Sequence, residues 1–157
     1  HSVAWSPDGE YLAVSGGEDG SVISIWEIAA GQSVKEIKVS GWVTGLNWSS
    51  LHSGNLLAIS QGGWGEVWNI DTGKMVLQIS GQAAGHSWSI ETAALSPDGR
   101  VFITAAAEII LWETASGKLL ERLEGHSDTV INLSFSPDGK KLASASHEGV
   151  VLVWNLE

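Results

Sequence analysis

Residues 125–155 of the chain read GHSDTVINLSFSPDGKKLASASHEGVVLVWN, and this stretch decides the fold. Two runs of β-forming residues flank the turn Ser136-Pro137-Asp138-Gly139, and a third run ends in Trp154. In such a turn Pro presets φ at the second position, Asp bonds its own backbone, and Gly accepts a positive φ. The stretch therefore predicts a β-hairpin that is followed by another antiparallel strand.

The same pattern recurs along the chain with a period of about 43 residues. Four tryptophans stand 42, 44 and 42 residues apart, each at the end of a β-type run: Trp26, Trp68, Trp112 and Trp154. The SPDG turn also begins at Ser6 and Ser96, whereas residues 49–55 (SSLHSGN) replace it in the second repeat. We expect four repeats in one register, over about 1–39, 40–80, 81–123 and 124–157.

Each repeat has room for four short strands, designated a to d in chain order. The turn joins strands a and b, strand c carries the periodic Trp, and a Gly turn leads to VKEIKV, MVLQI or LLERL as strand d. No segment longer than about ten residues keeps a helical apolar period. We predict an all-β chain of antiparallel four-stranded meanders, in which Trp5 and Trp48 fill a buried aromatic position at the end of strand a.

These features together resemble the WD-repeat β-propeller family over the whole chain. A Gly-His precedes strand a in the last two repeats, at Gly85-His86 and Gly125-His126. Trp-Glu stands where Trp-Asp is usual at Trp26 and Trp112, while Trp68 and Trp154 are followed by Asn. The resemblance implies propeller blades that form part of a seven- or eight-bladed ring. A half-ring that dimerises into eight blades and a self-closed four-bladed ring are the alternatives.

The resemblance also implies a buried hydrogen-bond relay within each blade. In the family it joins a His before strand a, a Ser or Thr on strand b, an Asp in the b–c turn and the Trp of strand c. The last repeat offers His126, Ser144 and Trp154, with Glu148 in place of the Asp. The third repeat offers His86, Thr104 and Trp112 and has no Asp. The first two repeats lack both the His and the Ser, so we expect them to be held mainly by apolar packing.

His126, Ser144 and Glu148 also have the residue types of a catalytic triad. The structural interpretation is preferred, because these are the types and offsets of a blade relay. The other histidines do not have the spacing of a metal site, and no repeat contains a phosphate-binding glycine loop. We therefore predict no enzyme activity, no catalytic residues, no metal and no cofactor.

Composition excludes several classes of protein. The 8 basic and 18 acidic residues give a net charge of −10, and this charge disfavours nucleic-acid binding. Without cysteine there is neither a disulfide scaffold nor a thiolate metal site. No apolar run approaches the roughly 18 residues of a membrane span. The expectation is a cytoplasmic protein that binds neither nucleic acid nor a membrane.

Three tryptophans fall outside the repeated positions. Trp42 and Trp88 lie in d–a connections and Trp64 lies at a b–c turn, and in an antiparallel meander these connections share one face of the ring. Large aromatic side chains dominate protein-binding hot spots, and acidic neighbours favour a basic partner. The candidate partner-binding face is therefore Trp42, Trp64, Trp88 and Glu108, with Glu66 and Glu91 as further acidic neighbours.

The predicted function is a non-catalytic platform that binds proteins or peptides. Two alternatives stay open: a propeller that gates or supports a fused enzymatic or signalling domain, and a ligand- or sugar-binding propeller. The three unplaced tryptophans also have an alternative role, in which each fills a gap in a degenerate repeat.

Overall fold

The chain folds into four antiparallel sheets in the computed structural model, which describes residues 2–17, 20–51, 54–85 and 89–156. The first sheet contains β1 (Val3–Trp5), β2 (Tyr11–Gly16), β3 (Val22–Glu27) and β4 (Gln32–Lys38). The second contains β5 (Val43–Leu51), β6 (Gly54–Gln61), β7 (Trp64–Asn69) and β8 (Lys74–Ser80). The third contains β9 (Thr92–Leu95), β10 (Val101–Ala105), β11 (Ile109–Glu113) and β12 (Leu119–Leu123). The fourth contains β13 (Val130–Phe135), β14 (Lys141–Ser146) and β15 (Val151–Asn155).

Strands within every sheet pair in chain order, so each repeat is a meander and the predicted blade architecture is confirmed. The predicted all-β class is confirmed, and the chain adds a single helical turn, α1, at residues Gly81–Ala84. The Ser80 side chain accepts a hydrogen bond from the Ala83 amide, and Gly85 ends the turn with a φ of 82°. A single helical turn is too short to produce a detectable apolar period.

The SPDG turns close the a–b hairpins of three sheets in the same way. Each Ser hydroxyl donates to the Asp carboxylate two residues later, over 2.5 to 2.6 Å. In each turn this hydrogen bond lowers the pKa of the Asp (Asp8, Asp98 or Asp138) below the ordinary value for an aspartate. The glycine that follows has a φ between 67° and 75°, which side-chain-bearing residues rarely adopt. The turn sequence therefore accounts for the hairpin geometry.

Three hydrophobic clusters lie between consecutive sheets. The cluster between the second and third sheets contains Ala58 and Val67 from one side and Phe102 and Trp112 from the other. Side-chain hydrogen bonds cross the same junction. Ser49 Oγ donates to the Ser96 carbonyl over 2.7 Å, and the Leu95 amide donates to Asn47 Oδ1 over 2.8 Å. Burial between sheets, rather than within one sheet, supplies most of the core.

The expected burial of strand-a aromatic residues is correct for Trp48 and wrong for Trp5. Trp48 packs into the cluster between the first two sheets. Trp5 lies on the face of the first sheet that points away from the second, and it is exposed. The same register position therefore has a different environment in these two sheets.

Candidate interaction face and the relays beneath it

A four-membered relay lies inside the fourth sheet. His126, just before β13, places its Nε2 atom 2.7 Å from the Oγ of Ser144 on β14. The indole Nε1 of Trp154 on β15 donates to that same oxygen over 2.8 Å. The other ring nitrogen of His126, Nδ1, lies 2.7 Å from Glu148 Oε1. The structure thus brings together all four residues that the sequence assigned to this relay.

Glu148 is the charged member of this relay. It accepts hydrogen bonds from the backbone amide and hydroxyl of Ser127, from His126 and from the Ser146 hydroxyl. The bond from Ser127, followed by the bond from His126, lowers the pKa of Glu148 to about 2. Because an ionised carboxylate only accepts hydrogen bonds, His126 carries a proton on Nδ1, and this N–H donates a hydrogen bond to Glu148.

The same geometry speaks against a nucleophilic role for Ser144. Its hydroxyl oxygen already accepts the indole N–H of Trp154, and the residue is buried. The His126 side chain is buried as well. A nucleophile needs an approach path for substrate, and this hydroxyl is buried on the Trp-bearing face of the fourth sheet.

Acid is expected to weaken the Glu148 contacts. A carboxylate whose pKa is lower in the folded state adds stability above its unfolded pKa and loses it as the pH falls through the folded value. Glu148→Gln is therefore expected to lower the stability at pH 7, and this loss should shrink between pH 4.5 and about 2. Urea unfolding of both chains at pH 7 and pH 2.5 measures the difference. An equal loss at both pH values would contradict this role of the charge.

The third sheet has a shorter version of the relay. The indole Nε1 of Trp112 donates to Thr104 Oγ1 over 2.9 Å, and both residues are buried. His86, the remaining predicted member, lies outside the described residues. The pair satisfies the buried indole donor within the sheet.

The second sheet satisfies its Trp through a residue that sequence reasoning assigned elsewhere. Trp68 Nε1 donates to Glu66 Oε2 over 2.7 Å, and Gln78 Nε2 donates to Glu66 Oε1 over 2.8 Å. Glu66 is buried, so its predicted role as an acidic neighbour that selects a basic partner was wrong. The buried Glu66 adds hydrogen bonds to the apolar packing that was expected to be the main source of stability in this sheet. The two-residue spacing of Glu66 and Trp68 was a usable signal for this contact, because residues two apart on a strand share a face.

Trp42 and Trp64 lie at the edge of the sheets that holds the d–a and b–c connections. Trp42 precedes β5, and Trp64 begins β7 just after the Gly62-Gly63 turn. They keep 52% and 39% of their surface exposed. The Trp42 ring covers the Gly20 backbone so closely that a Cβ there would come within 2.9 Å of it. Trp42 therefore lies where the first two sheets meet, and Trp64 lies at the same edge within the second sheet.

Backbone hydrogen bonds fix the segments that carry these two side chains. The Val43 amide donates to the Gly20 carbonyl over 3.2 Å, beside Trp42. The Gly81 amide donates to the Gly63 carbonyl over 2.8 Å, beside Trp64. The Gln61 side chain is fully buried and accepts the Gly41 amide over 2.9 Å. The two tryptophans therefore stand on ordered backbone.

The other residues of the predicted face differ from one another in their position and contacts. Glu108 belongs to the b–c turn of the third sheet, at the same edge, and pairs with Arg122 over 3.2 Å. Glu91 is half-buried and accepts the Ser89 hydroxyl over 2.9 Å. Trp88 lies outside the described residues. The structure thus places Trp42 and Trp64 at the same edge of the second repeat and Glu108 one sheet further along.

Within 2–17, 20–51, 54–85 and 89–156, no three His, Asp or Glu side chains are arranged to hold a metal ion. In the same part of the chain, no helix is long and apolar enough to cross a membrane.

Fold and relays together define a repeat protein built from propeller blades. The family model "WD domain, G-beta repeat" matches residues 1–24 and 117–155. The chain belongs to the WD-repeat family.

Relatives from several organisms resemble the chain. "Periodic tryptophan protein 2 homolog" of Dictyostelium discoideum is 30% identical over 160 residues, covering 99% of this chain and 17% of that protein. "WD repeat and SOCS box-containing protein 1" of Homo sapiens is 28% identical over 141 residues, covering 85% and 32%. "Intraflagellar transport protein 122 homolog" of Homo sapiens is 39% identical over 66 residues, covering 41% and 5%. The chain thus spans less than a third of the length of each of these relatives.

Proposed function

We propose that this chain is a non-catalytic platform that binds another protein through the edge carrying Trp42 and Trp64. WD-repeat domains generally mediate protein–protein interactions, which supports the class of function. The observation that carries the proposal is the pair of exposed indole rings that stand on ordered backbone at one edge of the sheets.

The physical argument rests on rigidity and exposed aromatic area. A Trp side chain buries a large surface on binding and loses few rotatable bonds, so it is enriched among residues that dominate binding energy. The Trp42 ring packs so closely over Gly20 that a larger residue at Gly20 would have to displace it. Little conformational entropy is therefore lost at this face when a partner binds.

Charge suggests the class of partner. The net charge of −10 creates a negative potential that attracts basic segments and repels acidic ones. A Lys or Arg side chain also binds favourably over the face of an exposed indole ring. The proposed partner is a protein segment rich in Lys or Arg, and the proposed location is cytoplasmic.

Alanine at both Trp42 and Trp64 tests this proposal. We expect the double variant to keep its cooperative melt and to lose at least about tenfold in affinity for basic peptides, since hot-spot tryptophans contribute 2 kcal/mol or more. The measurement is titration of immobilised chain with matched Lys-rich and Glu-rich peptide pools. Leu120→Ala removes an equally exposed apolar side chain from β12 and is the control.

Two results would contradict the proposal. Unchanged affinity for the basic pool would remove this edge as the binding face. Loss of the cooperative melt would mean that the two indole rings stabilise degenerate repeats instead of contacting a partner.

A further inference from the structure

Gln61, the last residue of β6, joins the two segments that carry Trp42 and Trp64. Its Oε1 atom accepts the backbone amide of Gly41 over 2.9 Å, and Gly41 directly precedes Trp42. Gln61 is itself followed by the Gly62-Gly63 turn, which leads into Trp64. One side chain therefore links the d–a connection that holds the first indole ring to the b–c turn that holds the second.

The two segments also lie against each other. A Cβ at Gly41 would be in van der Waals contact with Gln61 Oε1, at 3.7 Å, and with the Cα of Gly62, at 3.9 Å. The first pair of the ladder between β5 and β6 joins Val43 to Gln61. The hydrogen bond from Gly41 thus lies just beyond the end of this ladder, where regular strand pairing has ended.

The fourth sheet fixes the corresponding connection with different residues. Ser146 has the register position of Gln61. Its short hydroxyl donates to Glu148, and the Glu148 carboxylate accepts the Ser127 amide in the d–a connection. The b–c turn of the second sheet consists of Gly62-Gly63 and has no side chain that could do this. The longer side chain of Gln61 reaches the d–a connection directly.

The environment of Gln61 is unfavourable for a residue that only fills space. The side chain is fully buried, and within the described residues its Nε2 atom has no hydrogen-bond partner. Oε1 faces Gly41 because only the amide oxygen can accept an N–H. A buried donor without an acceptor lowers stability, and an apolar side chain of similar length would avoid this loss. Packing alone therefore does not account for a glutamine here, whereas the bond to Gly41 does.

We propose that Gln61 is a positioning residue of the interaction face, which sets the position of Trp42 relative to Trp64. The inference rests on the proposed function, because it assigns a residue that acts on the same face. The Trp42 ring packs on Gly20 of the first sheet, while Gln61 holds the adjacent backbone to the second sheet. Without this second anchor a partner would have to order the connection on binding, and affinity would fall.

Gln61→Met tests the inference, because methionine is similar in length but is only a weak acceptor. The half-buried Gly41 amide then bonds to water. We expect a cooperative melt and at least about fivefold faster hydrogen exchange at the Gly41 amide. Affinity for the Lys-rich peptide pool should fall at least about threefold. Gln32→Met makes the same change at an exposed site on β4, at the opposite edge, and should alter neither quantity.

A Trp42→Ala background separates positioning from a general structural role. If Gln61 acts through this indole ring, Gln61→Met has no further effect on peptide affinity once the ring is absent. The Gly41 amide should still exchange faster in that background, because its acceptor is lost. If Gln61→Met does not melt cooperatively, Gln61→Leu replaces it, since leucine also lacks the acceptor.

Four results would overturn the inference. Unchanged exchange at Gly41 would mean that Gln61 does not hold this connection, and faster exchange with unchanged affinity would mean that binding does not depend on it. An equal loss of affinity with and without the Trp42 ring would place the effect elsewhere. Loss of the cooperative melt in both variants would make Gln61 a structural residue only. The proposed function fails in a separate measurement, unchanged affinity of the variant with alanine at both Trp42 and Trp64.

Discussion

Trp112→Ala is expected to lower the free energy of unfolding by about 3–5 kcal/mol, as truncation of large buried aromatic residues does. Trp112 is 7% exposed and packs in the cluster between the second and third sheets. The substitution removes this packing and leaves the Thr104 hydroxyl without its indole donor. Urea denaturation followed by far-ultraviolet circular dichroism measures the loss.

Trp26→Ala is the matched control, because Trp26 has the same register position in the first sheet. Its side chain is 40% exposed, so truncation opens less of a cavity and should cost less than half as much. The comparison separates burial from residue type. Equal losses for the two variants would contradict the environments that the structure assigns to them.

Trp112→Phe divides the same effect into two parts. Phenylalanine retains much of the apolar contact but has no N–H to donate to Thr104. We expect a loss between those of the wild type and the alanine variant, and the lost hydrogen bond accounts for about 1 kcal/mol of it.

Local sequence signals were sufficient to predict the blade. The spacing of Trp26, Trp68, Trp112 and Trp154 and the SPDG turns set the strand order, because turn geometry and strand alternation depend on nearby residues. The candidate face was placed by the same logic, since a meander assigns each connection to one edge. Trp42 and Trp64 accordingly lie at the expected edge.

Burial could not be predicted in the same way, because it depends on which sheet lies opposite. Trp5 and Trp48 share a motif position, but only Trp48 faces another sheet in the described residues. Turn α1 also depends on local capping by Ser80 and Gly85, which the apolar pattern does not record. Glu66 was misassigned because an acidic residue near a turn is usually solvated.

Glu66→Met is expected to lower the free energy of unfolding by about 1–3 kcal/mol, because it leaves the Trp68 indole N–H without an acceptor. Methionine is similar in length to glutamate and fills the site without a cavity, so the loss reports mainly on hydrogen bonding. The measurement is urea denaturation at pH 7. In a Trp68→Phe background no indole N–H remains, and the same substitution should cost distinctly less.

Glu66→Gln decides whether the hydrogen bonds or the charge stabilise the second sheet. A glutamine Oε1 accepts the Trp68 indole, and its amide donates to the Gln78 oxygen once the exposed Gln78 side chain turns over. We therefore expect Glu66→Gln to keep most of the stability that Glu66→Met loses. Equal losses would mean that the negative charge itself is required at this position. Near-wild-type stability of Glu66→Gln would show that this sheet needs only an acceptor where the third sheet uses Thr104, so that the relay tolerates different residues at different strand positions.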